Sequence, residues 1–188
     1  MPYIETPLTG LWVFEPRIFE DERGYFYESF NMRQFQTETG IDRPFVQDNI
    51  SFSQFGVLRG FHFQYEPAAQ AKLVSSYQGA VWDVVVDLRP QSPTFGQSFQ
   101  ILISAENKKQ LYVPRGFAHS FVVISPEGAL FGYKCDNFYA PQYESGIRYD
   151  DPDLQIDWQV EESALIVSDK DKLLPSFAEV KEHLAQAL

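Results

Sequence analysis

The strongest constraint in this chain is its punctuation. Short runs of apolar, aromatic and β-branched residues recur along it, each closed by Gly, Pro or a cluster of small polar residues. Leu11–Phe14, Tyr25–Phe30, Val57–Phe63, Lys72–Tyr77, Val81–Leu88, Phe99–Ile103, Gln110–Val113, His119–Ile124 and Ala129–Cys135 are such runs. Glu22-Arg23-Gly24, Arg89-Pro90-Gln91-Ser92-Pro93 and Ser125-Pro126-Glu127-Gly128 are among the breaks. Many strands at short spacing with turns between them predict an all-β sandwich or barrel. Aromatic residues make up 16% of the 188, led by 17 Phe and 10 Tyr, and strengthen that expectation, because flat side chains pack well on a pleated surface.

Two short helices are expected besides. Residues 31–39 lie between Asn31, a good N-cap, and Gly40, a C-terminal stop. Residues 176–188 open with Ser176-Phe177-Ala178-Glu179, which has capping-box form, and carry Phe177, Val180, Leu184 and Leu188 at the spacing of one helical face. No repeat, low-complexity tract or linker interrupts the chain, so residues 1–188 read as a single domain.

Charge narrows the partners. With 26 acidic against 15 basic side chains, the formal net charge is -11, and bulk electrostatics will not draw such a chain to nucleic acid or an anionic membrane. If it binds an anion, a few local Arg and Lys must overcome the overall field. The one cysteine, Cys135, excludes an intrachain disulfide and a Cys-based zinc site. Met1-Pro2-Tyr3-Ile4-Glu5 lacks the basic-then-apolar pattern of a signal peptide, and no apolar run nears the roughly 20 residues that span a bilayer. A cytoplasmic location is expected.

Three histidines exist, so each is weighed. His183 sits among Lys181, Glu182 and Gln186 and reads as solvated. His62 lies in Val57-Leu58-Arg59-Gly60-Phe61-His62-Phe63-Gln64, and His119 in Pro114-Arg115-Gly116-Phe117-Ala118-His119. A lone strand histidine is usually structural; two, each beside Gly and Arg in an apolar strand, point to function. Pro-x-Gly-x-x-His at 114–119 resembles the second motif of cupins, the double-sheet jelly-roll barrels. Their first motif carries His-x-His, whereas here the second imidazole is replaced by Gln64. Two histidines without a third strong ligand make a poor transition-metal site, so no metal is expected.

A more specific resemblance runs through the whole chain. Asp21-Glu22-Arg23-Gly24-Tyr25-Phe26-Tyr27-Glu28-Ser29-Phe30, Phe45-Val46-Gln47-Asp48-Asn49, Val57-Leu58-Arg59-Gly60-Phe61-His62 and Gln70-Ala71-Lys72-Leu73-Val74 resemble segments of the dTDP-4-dehydrorhamnose 3,5-epimerases. Asp83-Val84-Val85-Val86-Asp87, Ser92-Pro93-Thr94-Phe95-Gly96, Gly116-Phe117-Ala118-His119, Tyr133-Lys134, Tyr139, Glu144 and Ser168-Asp169-Lys170-Asp171 continue the match in order. Phe61 stands where that family usually has Leu, and Ser120 where it usually has Gly.

The resemblance implies a cupin-like jelly roll and a homodimer that acts without a cofactor on a dTDP-linked 4-keto-6-deoxy sugar, inverting C3 and C5. By the same resemblance, such an enzyme would supply dTDP-L-rhamnose for cell-surface polysaccharide. Both carbons flank the C4 ketone, so removing either proton gives an enolate on the same oxygen. Such a site needs a base, an acid on the opposite face, and a cation at that oxygen. By the family pattern His62 is the base, Asp171 its carboxylate partner, Tyr133 the acid and Lys72 the cation. Arg23, Arg59 and Lys170 would meet the phosphates. Glu28, Gln47, Asp48 and Asn49 would bond thymine, ribose or sugar hydroxyls, although Gln47-Asp48-Asn49 also reads as a loop. Tyr139 would stack on thymine, with His119 and Glu144 as further substrate contacts.

One spacing conflicts with strand logic. Arg59 and His62 are three apart, so strict alternation sends them to opposite faces, and Gly60 between them is read as a bulge that re-aims one side chain. Four rival readings stay open: an epimerase acting at C3 or C5 alone, a more distant 3,4-ketoisomerase with a differently arranged proton shuttle, a metal-dependent cupin oxygenase, and a non-catalytic nucleotide-sugar binding module.

Overall fold

The computed structural model describes residues 3–186, so Leu188 of the expected C-terminal helical face lies outside the described residues. In chain order the strands begin with β1 (Tyr3–Glu5), β2 (Trp12–Phe14), β3 (Phe19–Asp21), β4 (Gly24–Phe26), β5 (Gln47–Ser53), β6 (Val57–Gln64) and β7 (Lys72–Gln78). They continue with β8 (Ala80–Asp87), β9 (Ser98–Ser104), β10 (Gln110–Val113), β11 (Phe117–Val123), β12 (Ala129–Cys135), β13 (Glu144–Gly146) and β14 (Ile166–Val167). Helices are short: α1 (Met32–Thr39), α2 (Asp169–Lys172) and α3 (Phe177–Gln186).

Apart from β3 and β4, the strands join two largely antiparallel sheets. One runs β1-β2-β10-β7-β12-β5; the other runs β13-β6-β11-β8-β9, with β14 pairing in parallel on β6. Among the described residues the β3–β4 hairpin pairs only with itself. The all-β expectation therefore holds, but among the described residues the two sheets face each other as layers and do not close into one hydrogen-bonded barrel.

Side-chain alternation explains how the layers hold. Val74, Leu111 and Phe131 of the first sheet meet Val81, Val85, Ile103 and Phe121 of the second in a shared core. The opposite face of the second sheet, with Leu58, Phe61, Val84, Val86 and Val122, is covered by Ile147, Leu154, Trp158 and Val180 from the C-terminal region. Both faces of β8 are thus buried, which is why Val81–Leu88 reads as a nearly continuous apolar run. On the first sheet, Phe14, Leu73 and Tyr112 pack against Phe35 of α1.

The helix signals act as expected. Asn31 accepts the N–H of Gln34, and Gly40 ends α1 in the left-handed region at φ 73. Ser176 and Glu179 bond reciprocally, Ser176 N–H to Glu179 Oε2 at 2.8 Å and Glu179 N–H to Ser176 Oγ at 3.3 Å. The boundaries differ in places. The run Tyr25–Phe30 is a strand only through Phe26, and Gln47-Asp48-Asn49 opens strand β5.

Candidate active site

The decisive local feature is a bulge in β6. His119 of β11 pairs with His62 and Phe121 pairs with Arg59, so Gly60 and Phe61 together oppose the single residue Ser120. The extra residue resets the alternation, and Arg59 and His62 both line one cavity. Gly60 takes φ +100, and a Cβ there would meet the His119 carbonyl oxygen at 2.6 Å. The bulge leaves backbone groups off the ladder, and side chains meet two of them. Ser120 Oγ donates to the Arg59 carbonyl at 2.8 Å, and Gly60 N–H donates to Asp171 Oδ2 at 3.3 Å.

Asp171 reaches that point from α2, where Ser168 Oγ accepts its N–H at 3.1 Å. Its other oxygen, Oδ1, lies 2.8 Å from His62 Nε2. Burial alone would push the Asp171 carboxyl up; the bond and charge of His62, with Gly60 N–H and the Ser168 hydroxyl, bring it below the usual carboxylate range. A parallel pair lies beside it: His119 Nε2 is 2.9 Å from Asp83 Oδ2, both buried. In the sequence Asp83 interrupts an otherwise apolar stretch of β8, and that is a legible signal.

The facing sheet supplies Lys72 of β7 and Tyr133 of β12. The Lys72 ammonium lies 5.7 Å from the centre of the Tyr133 ring. Burial lowers the Lys72 pKa, against the opposing pull of Cys135, Asp83 and Glu144. Burial also raises that of the Tyr133 phenol, with Cys135 adding to it and Arg59 and Asn49 opposing. Neighbouring Cys135 is raised to about 11, again chiefly by burial.

These side chains line a cleft of two lobes. The larger, about 510 Å³, holds Arg59, His119, Lys170 and Asp171; the smaller, about 230 Å³, holds Gln47, Asn49, Tyr139 and Glu144. His62, Lys72 and Tyr133 line both and so mark their junction. Tyr139 and Lys170 are both tied to Glu144 Oε2, at 3.0 and 2.6 Å. Burial would raise the Glu144 carboxyl, but bonds from Lys170 and Tyr139 hold it below its usual range. Three cations, Arg59, Lys72 and Lys170, thus gather in a chain of strong net negative charge.

Three expected site residues stay outside this cleft. Arg23 is exposed on the β3–β4 hairpin and folds back on Asp21. Glu28 is exposed beyond the same hairpin. Asp48 shares β5 with Gln47 and Asn49 but projects from its other face, where it meets Lys134 at 3.0 Å. Conversely Gln64, Gln70, Ser51 and Phe121 line the cleft, although the sequence does not single them out for it. Gln64 stands out in the sequence only as a missing metal ligand.

Comparison with known proteins agrees over nearly the full length. The family model described as dTDP-4-dehydrorhamnose 3,5-epimerase matches residues 5–179. A dTDP-4-dehydrorhamnose 3,5-epimerase of Shigella flexneri is 50% identical over 171 residues, covering 91% of this chain and 93% of the relative. The crystal structure of the enzyme of that name from Elizabethkingia anophelis NUHP1 superposes with a TM-score of 0.90 at 55% identity, covering 94% of this chain and 96% of that one. A dTDP-6-deoxy-D-glucose-3,5-epimerase from Legionella pneumophila Philadelphia 1, solved with dTDP-4-keto-L-rhamnose, gives 0.91 at 46% identity, covering 96% and 95%.

Proposed function

The chain belongs to the dTDP-4-dehydrorhamnose 3,5-epimerase family, and from that premise we infer that it is an isomerase inverting C3 and C5 of dTDP-4-dehydro-6-deoxy-D-glucose. The product is dTDP-4-dehydro-L-rhamnose, on the route to dTDP-L-rhamnose and cell-surface polysaccharide. The observation that carries this reading is the junction of the two lobes, where His62 from one sheet and Tyr133 from the other border the same space as Lys72.

Geometry and charge support each role. With Nε2–H donated to Asp171, His62 keeps a lone pair on Nδ1 to take the proton from carbon. The bonding electrons move into the C4 carbonyl, and the Lys72 ammonium meets the negative charge that gathers on that oxygen. The Tyr133 phenol, kept protonated by burial, returns a proton from the opposite face, which inverts the centre. His119, backed by its bond to the buried Asp83, serves as a further substrate contact. Each inversion leaves His62 protonated and Tyr133 ionised; His62 gives its proton to solvent and Tyr133 takes one back, which resets the pair for the second centre with no net change of protons or electrons.

Arg59 and Lys170 serve the diphosphate, and Tyr139 stacks on thymine with Gln47, Asn49 and Glu144 bonding the base, ribose or sugar hydroxyls. The two-layer architecture is read as the cupin jelly roll, in one domain, working in the cytoplasm. A homodimer is supported by exposed apolar surface on the β3–β4 hairpin (Phe19, Tyr25, Phe26) and on the outward face of edge strand β5 (Ile50, Phe52). Arg23 and Glu28 ride on or beside that hairpin, away from their own cleft, and we place their substrate contacts across this interface; Asp48 faces the same side.

The test is solvent exchange. Purified protein incubated with the 4-keto sugar nucleotide in heavy water should place deuterium at both C3 and C5, read by NMR. Label at one centre alone would make it a narrower epimerase, and none would leave a binding module.

A further inference from the structure

Gln64 stands where a metal-binding barrel would carry an imidazole, and the proton chemistry makes no use of it. The residue is 7% exposed and its side-chain amide is engaged at both ends. Nε2 donates to the carbonyls of Ala68 at 2.7 Å and Phe138 at 3.3 Å, while Oε1 accepts the N–H of Ala140 at 2.7 Å. Phe138 and Ala140 flank Tyr139. The segment 138–140 belongs to no helix or strand, so its backbone groups lack ladder partners, and side-chain amides take their place. The Tyr139 N–H itself goes to Gln47 Oε1 at 3.1 Å.

Tyr139, by contrast, is 52% exposed, and its ring is held at its tip by the bond to Glu144. Packing does little to fix its stance; the backbone on either side must. A neutral amide suits that task because it offers two donors and an acceptor from one planar group, which neither a carboxylate nor a neutral imidazole supplies. We propose that Gln64 is a positioning residue for recognition of the nucleotide base: it clamps the chain before and after Tyr139 and so sets the plane against which the base stacks. This rests on the reading of Tyr139 given above.

The experiment measures dTDP binding by calorimetry for the full chain and for Gln64→Glu, Tyr139→Ala and the double variant. The ionised carboxylate of Gln64→Glu would keep the acceptor but lose both donors, so dTDP Kd should rise roughly tenfold, the order that a lost base–aromatic stack is worth. Protonating that carboxyl restores a donor, so affinity in Gln64→Glu should recover on acidification relative to the unaltered protein; a merely structural defect has no such pH profile. Because one residue acts through the other, the double variant should bind about as weakly as Tyr139→Ala alone. Unchanged affinity in Gln64→Glu, or a double variant whose losses multiply, overturns the proposal. Should Tyr139→Ala bind dTDP normally, the stacking reading itself fails, and the proposal with it. If Gln64→Glu does not fold, hydrogen exchange of the unaltered protein decides: protection at the Ala140 amide supports the clamp, and exchange at the rate of a free loop refutes it.

Discussion

Asp171 holds His62 and the backbone beside it at once: one carboxylate oxygen lies 2.8 Å from His62 Nε2, and the other accepts Gly60 N–H at 3.3 Å. A single group therefore fixes both the tautomer of the imidazole and the bulge that aims it. Asp171→Asn keeps the shape but can present an amide donor to Nε2, which favours the tautomer with its proton on Nδ1. Loss of kcat by about 10²-fold or more is expected, the range of a misplaced general base. Steady-state rates for Asp171→Asn and Asp171→Ala check it; near-normal turnover in both would remove the dyad from the mechanism.

In the proposed mechanism, Tyr133 separates proton removal from proton return. Tyr133→Phe leaves His62, Lys72 and the cleft in place while deleting one hydroxyl. Deuterium should still enter the substrate through His62, whereas inverted product should form more slowly by roughly 10²–10⁴-fold. NMR in heavy water reads both at once. Normal inversion without the phenol would assign the acid to another group.

The alkaline limit of activity should belong to Lys72. Burial lowers its pKa and raises that of Tyr133, so loss of the ammonium proton moves toward neutrality while loss of the phenol proton moves away from it. In the proposed mechanism the cation that meets the enolate oxygen is present below the Lys72 pKa and absent above it, and kcat should fall with rising pH from below the usual lysine range. Lys72→Arg keeps a permanent charge and should shift the limb upward even if the rate drops. A pH–rate profile of the two proteins decides, and an unmoved limb assigns it elsewhere.

Gly60→Ala tests the bulge directly. The left-handed φ of +100 and a Cβ placed 2.6 Å from the His119 carbonyl oxygen leave no unstrained way to hold the methyl group. Loss of well over about 1 kcal/mol of stability is expected, together with a fall in activity greater than the stability loss explains, because Arg59 and His62 lose their common direction. Chemical denaturation and kcat measured at a temperature where the variant is folded give the two readouts; full activity in a folded variant would uncouple bulge and site.

That bulge is legible in the sequence because two candidate residues stand at an impossible spacing with a glycine between them. Helix α1 is legible from Asn31 and Gly40, and α3 from Ser176 and Glu179, since caps are local chemistry. Strand β5 is ambiguous for a physical reason: its inward residues Gln47, Asn49 and Ser51 line a cleft rather than a core, so the apolar alternation that marks a strand is missing. The two-residue β14 and four-residue α2 owe their shape to docking on β6, which no local pattern announces. The grouping of His62, Lys72, Tyr133 and Asp171 comes from family resemblance; their spacing alone leaves Asp171 in a charged run and Tyr133 among core aromatics.

Asp87 carries the clearest pH-dependent contribution to the fold. It has no exposed surface and accepts bonds from Arg89 N–H at 3.0 Å, Arg89 Nε at 2.8 Å and a guanidinium NH₂ at 2.7 Å, and from the hydroxyls of Ser92 at 2.6 Å and Thr94 at 2.7 Å. Burial would raise its pKa, but these donors together lower it below the ordinary value. The folded chain then binds fewer protons here than the unfolded one. Its stabilisation is complete above the unfolded carboxyl pKa of about 3.9 and is lost as the pH falls through the folded value. Asp87→Asn leaves Arg89 without its counter-charge and should cost about 3–5 kcal/mol at neutral pH. Urea unfolding of both proteins from neutrality down to about pH 3 should show that gap narrowing as the acid limit is approached; a gap constant across the range would mean that the carboxylate charge is not what holds the 87–94 turn.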